Sequence, residues 1–126
     1  MTKEHKPVGI ALVMPFQTQV AVFDSFKSWR KYYKKIGSPI NPKWADGAAA
    51  LASTHRGSNG KYWYSIIVPE DGNLGTIVHE CSHMVDYICD DSGVPINMEN
   101  TEIRAYMLGV LFLDVCEILR RPVDAS

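Results

Sequence analysis

Apolar residues recur along this chain with two different periods, and the change from one to the other marks out the elements. Residues 8–14 are largely β-branched and aliphatic and residues 18–23 alternate, so both read as strands around Pro15, or as one bent strand. Phe26, Trp29, Tyr33 and Ile36 then recur at helical spacing, with Asp24-Ser25 as the N-cap and Gly37 as the stop. Residues 38–43, which include Pro39 and Pro42, read as a connecting loop. Residues 48–56 and 61–68 are β-like runs around Gly57-Ser58-Asn59-Gly60, the pattern of a hairpin. In its second strand Tyr62, Tyr64 and Ile66 share one side, and Trp63, Ser65 and Ile67 the other.

A helical period returns at Leu74 and runs to Asp91 through Ile77, Val78, Cys81, Met84, Val85 and Ile88. Asn73 is its expected N-cap, and Gly93 and Pro95 its stop. A last helix is expected from Glu99 or Asn100 to about Leu119, capped by Asn100 or Thr101, with Pro122 beyond its end. Ile103, Tyr106, Met107, Val110, Leu111 and Leu113 put apolar residues on most of its sides, which predicts a largely buried helix. The expected fold is therefore α+β: a small, mostly antiparallel sheet packed on helices, as one domain over residues 1–126.

Composition narrows the function classes more than the fold. The apolar fraction of 46% and charged fraction of 21% are those of an ordinary globular protein. A formal net charge of −1 gives no electrostatic case for nucleic acid or an anionic membrane. The exception is local: Lys27, Arg30, Lys31, Lys34 and Lys35 cluster on the first helix, as a solvated face or a patch for an acidic partner. Cys81, Cys89 and Cys116 are an odd number without disulfide spacing, which suggests buried thiols and a reducing, cytoplasmic setting. Lys3 and Lys6 ahead of residues 8–16 faintly suggest a signal peptide, but Pro15 and the missing cleavage site favour a first strand. The longest apolar stretch, residues 105–113, is too short to span a membrane.

The chemistry lies in His79-Glu80-Cys81-Ser82-His83, an H-E-x-x-H pentad inside the third run. Positions i and i+4 of a helix share a face, so both imidazoles can reach one Zn²⁺ ion while Glu80 serves as a general base. A catalytic zinc site ordinarily has a third protein ligand and an open water position. Cys89, ten residues after His79, would need a glycine turn where Asp86 stands. Asp86 and Asp90 fit better as groups that orient a ligand imidazole or as surface carboxylates. Glu102 is the preferred ligand, because a short loop returns its helix antiparallel to the pentad helix; Glu99, about one turn earlier, is the fallback. Tyr106, one turn beyond Glu102, and His55, on the preceding hairpin, are candidate donors to a developing oxyanion.

The segment Thr76-Ile77-Val78-His79-Glu80-Cys81-Ser82-His83, followed by Glu102-Ile103-Arg104-Ala105-Tyr106, resembles compact zincin-like proteins of phages and prophages. These pair an H-E-x-x-H helix with a later E-x-x-A-Y helix, and more broadly look like the gluzincin branch of metallopeptidases. The resemblance covers roughly residues 48–119. It implies a minimal zincin-like fold with zinc on His79, His83 and Glu102, Glu80 as the catalytic base, and a phage-encoded protein working in the host cytoplasm. The chain departs from large gluzincins in having Tyr106, not Asp, four residues after the ligand Glu, and it has no substantial substrate-binding domain.

The expected function is a zinc metallopeptidase acting on a restricted protein or peptide substrate. Two alternatives stand beside it: a zincin-fold module that sequesters a host partner, and a zinc hydrolase of a non-peptide amide. The strand at residues 61–68 is expected to offer an edge to an extended peptide, with Tyr62, Trp63 and Tyr64 near the cleft.

Overall fold

The structure, a computed structural model, describes residues 6–37, 47–56, 62–95 and 97–123. It is α+β. The elements run β1 (Gly9–Val13), β2 (Thr18–Phe23), α1 (Phe26–Lys35), β3 (Leu51–Arg56), β4 (Tyr62–Ile67), α2 (Leu74–Asp91) and α3 (Thr101–Ile118), with a 3-10 turn at Met98–Asn100 leading into α3. The expected loop at 38–43 and the turn at 57–60 lie outside the described residues.

The strands form one mixed sheet in the order β1-β2-β4-β3. β1 pairs antiparallel with β2 and β3 antiparallel with β4, while β2 and β4 run parallel. The Pro15 region is thus a hairpin turn between two strands, not a bend within one. The expected free edge at residues 61–68 is corrected: β4 lies between β2 and β3, so its main chain is paired on both sides. β3 is the outer strand at that end.

Strand alternation sorts the core into two layers. Ala11, Val13, Val20, Val22, Ala52, Tyr64 and Ile66 point to one face, where they meet Ile77, Met84, Val85 and Ile88 of α2 and Met107, Leu111 and Val115 of α3. Phe23 and Ile67 point to the other, against Trp29 and Tyr33 of α1, with Leu51 and Trp63 at the margin. The side assignment for Tyr64 and Ile66 against Trp63, Ser65 and Ile67 therefore matches the sequence pattern. α1 leaves β1 uncovered on this second face, so Ile10 and Leu12 stay half exposed.

Local chemistry sets the helix ends. The Ser25 hydroxyl accepts from Ser28 N–H at 3.1 Å to start α1, and Gly37 (φ 74°) takes the left-handed conformation after it. Asn73 caps α2 by accepting from Thr76 N–H at 2.9 Å, and Gly93 (φ 76°) ends it. Asn100 takes the N-cap position of α3, as expected, but without a side-chain cap bond: its amide donates to the Pro95 carbonyl at 2.9 Å, and Asn97 caps the preceding 3-10 turn. Ile36, at the same helical spacing as Trp29 and Tyr33, is exposed at the end of α1.

α2 and α3 pack antiparallel, since the start of α3 meets the later half of α2 and Arg121, after α3, meets the loop before α2. The expectation of a largely buried α3 is corrected. Only Met107, Leu111, Val115 and Cys116 are buried, whereas Ile103, Tyr106, Val110 and Leu113 are exposed. No helix among the described residues is long and apolar enough to cross a membrane.

Candidate metal centre

The pentad occupies the middle of α2, and its register follows from the buried stripe. Ile77, Cys81, Met84, Val85 and Ile88 hold the helix on the sheet and α3, which leaves His79 and His83 on the open side and Glu80 at the margin of the core. The two imidazoles meet edge to face, with ring centroids 4.7 Å apart and Nε2 atoms 3.2 Å apart. Glu80 is 8% exposed, and its Oε1 lies 3.9 Å from His79 Nε2. A nearly buried carboxylate thus lies beside one of two exposed imidazoles.

The spacing of the two nitrogens, a direct contact in the structure, can be compared with that of neighbouring ligands on a tetrahedral cation. Zinc–nitrogen bonds of about 2.0–2.1 Å at the tetrahedral angle put neighbouring ligand nitrogens roughly 3.3–3.4 Å apart. The 3.2 Å separation is close to that edge. Tyr87, one turn on, lies nearly parallel to the His83 ring, at 17° and 6.3 Å between centroids.

Glu102 is not brought to this pair. It is exposed on the first turn of α3, without an ion pair or hydrogen bond to any described residue. Arg104, two residues later and so about 200° around the helix, is the side chain that reaches α2. Its guanidinium donates from Nε to Asp86 Oδ1 and from Nη2 to Ser82 Oγ, each at 2.7 Å. Among the described residues, no three His, Cys, Asp or Glu side chains gather closely enough to hold a metal ion. The structure thus places two imidazoles beside the Glu80 carboxylate, with Asp86 engaged by Arg104 and Glu102 unengaged among the described residues.

The other expected residues separate clearly. His55 is corrected as an oxyanion donor: it stands on the α1 face of the sheet, its ring 5.3 Å from that of Tyr33 and edge-on to it. The sheet separates it from α2. Burial lowers its pKa below the ordinary imidazole value. Tyr106 is 64% exposed on α3, with no contact to the imidazole pair among the described residues. Glu99 is exposed, as is Asp90. Cys89 is buried against Met107, sulfur to sulfur 3.9 Å, and is no ligand.

The loop that delivers α2 is held from the far end of α3. Arg121 donates to the carbonyls of Pro69 (3.1 Å), Glu70 (2.8 Å) and Gly72. Gly72 is required there, because a Cβ would meet the Val68 side chain at 2.5 Å. Sequence reasoning missed Arg121, Arg104 and Tyr87. Arg104 had a signal, as the lone Lys or Arg between residues 74 and 118, and Tyr87 had its i+4 relation to His83.

A shallow cavity of about 240 Å³ lies between β3 and α2, lined by Leu51, Ala52, Ser53, Thr54 and Tyr87. Through Tyr87 it adjoins His83. Two larger hollows, about 490 and 410 Å³, open elsewhere, one beside Asp24 and Arg120 and the other between β1 and α1. No family model matches the sequence, and no curated protein or solved structure is significantly similar to the chain.

Proposed function

We propose that the chain is a zinc-dependent metallopeptidase that cleaves an extended segment of a protein or peptide. One observation carries this reading: two Nε2 atoms 3.2 Å apart on the open side of α2, with the Glu80 carboxylate 3.9 Å from one of them. A structural metal site has no use for a nearly buried carboxylate that is not a ligand, whereas hydrolysis needs a base at that point.

His79 and His83 would hold the ion, with Glu102 as the third ligand; its exposed carboxylate has no partner among the described residues to leave. Bound there, zinc supplies Lewis acidity and lowers the pKa of water at the site. Glu80 accepts the proton of the attacking water and returns it to the leaving amine. Arg104 keeps Asp86, three residues after His83, from competing for the ion. The outer strand β3 offers main-chain groups to an extended substrate, and the adjoining 240 Å³ cavity has room for one side chain.

The reading predicts about one zinc per chain by elemental analysis, lost in His79→Ala/His83→Ala, weakened in Glu102→Ala and retained in Glu80→Gln. Glu80→Gln should lower cleavage of a defined peptide mixture, followed by mass spectrometry, by about 10²–10⁴-fold. Zinc retained in the double histidine variant would end the proposal. Zinc retained in Glu102→Ala but lost in Asp86→Ala would move the third ligand to α2.

A further inference from the structure

We propose that the exposed face of α1 is a docking site for an acidic segment of a partner protein. The proposal is independent of the metal centre, which lies on the opposite side of the sheet.

α1 reads FKSWRKYYKK, with five basic residues and no acidic one. At 100° per residue, Lys27, Arg30, Lys31, Lys34 and Lys35 fall within an arc of about 140°. Lys27, Lys31, Lys34 and Lys35 are exposed, and Arg30 lies over the Phe26 ring at 5.8 Å. None of the five forms an ion pair with any described residue.

This face is unfavourable for the helix itself. Lys27–Lys31, Arg30–Lys34 and Lys31–Lys35 are like charges at i,i+4, each destabilising by about 0.2–0.5 kcal/mol. Lys27 also places a cation in the first turn, against the helix dipole, whereas Lys34 and Lys35 in the last turn favour it, so the like-charge repulsion is the cost that remains. A face that only needs hydration is served as well by mixed signs, which avoid the repulsion. What single-sign charge adds is attraction for a body of opposite sign.

The opposite inner face keeps this display rigid. Trp29 and Tyr33 are buried against Phe23 and Ile67, and the Tyr33 hydroxyl shares a 2.6 Å hydrogen bond with Ser65 of β4. Those two rings are therefore unavailable for base stacking, which single-stranded nucleic acid sites use. The stripe is about 12 Å long. Outside α1 the chain carries more acidic than basic residues, half of the acidic ones in α2 and α3 on the other side of the sheet, so the basic surface is concentrated on this one helix. A short acidic protein segment fits both the length and the sign.

The test is fluorescence anisotropy of a dye-labelled poly-glutamate peptide with the full chain at low and moderate salt. Binding should weaken steeply with salt and fall about tenfold in Lys27→Gln/Lys31→Gln/Lys34→Gln. The same variant should melt no lower than the parent, because repulsion is relieved, which separates lost docking from lost folding. His79→Ala/His83→Ala should bind the peptide as the parent does, whether or not the metallopeptidase reading holds. Absence of peptide binding at low salt, or unchanged binding by the triple variant, overturns the proposal. So does tighter binding to duplex DNA or to phosphatidylserine vesicles than to the peptide.

Discussion

Tyr33 and Ser65 meet where α1 joins the sheet, and their 2.6 Å bond lies where Ser65 is 0% exposed. Burial pushes the Tyr33 phenol up to about 12, so the pair stays neutral across the physiological range. Tyr33→Phe removes the bond while keeping the ring, and should destabilise the fold by about 1–2 kcal/mol in urea unfolding. His55, packed edge-on to the same ring, makes the fold sensitive to acid. Its folded pKa lies below the ordinary 6.5, so between those two values the unfolded chain binds a proton that the folded chain does not. Stability is therefore full above about pH 6.5 and declines as pH falls through the folded pKa. His55→Phe should flatten this decline, measured as the urea midpoint at several pH values. The pentad was readable as residues because i,i+4 spacing acts within one helix. The place of His55 was not, because strand parity shows only that neighbours diverge, and α1 decides which face is which.

Among the elements, α2 was legible to the residue, from Leu74 to Asp91, because Asn73 and Gly93 act locally. α3 was legible in extent but not in burial. A helix with apolar residues all round does not itself say which face is covered, and α2 and β1 together cover only the Met107–Leu111–Val115 side. The sheet order was least legible, since the parallel pairing of β2 with β4 joins segments separated by α1 and β3. That pairing is what moved the open edge to β3. The most informative element contact is the Arg121 clamp on the loop before α2. Arg121→Ala removes the donors from three carbonyls and should cost about 1–2 kcal/mol. Amide exchange should quicken at the first turns of α2 more than at its buried middle, around Met84–Ile88. Equal acceleration along the helix would mean that the clamp stabilises the fold without positioning the loop.

For the molecule as a whole, the three thiols report on cooperativity. Cys81, Cys89 and Cys116 are free and buried within the α2–α3 side of the core. Burial pushes the Cys81 thiol up to about 12 and raises those of Cys89 and Cys116 as well. Near neutral pH, alkylation should therefore be slow in the native protein and fast in urea, with all three sites reacting together. A single fast site would reveal a local opening.

The charge distribution belongs to the same scale. α1 carries only cations, while residues 74–118 carry eight acidic side chains against the single Arg104. Among the described residues, the cations of α1 and the carboxylates of α2 and α3 thus lie on opposite faces of the sheet, and a field gradient tends to orient such a molecule. A negatively charged body exerts a torque on such a molecule before contact and turns α1 towards itself. Capture at α1 then leaves the imidazole pair pointing away from the captor, open to a second molecule arriving from the opposite side.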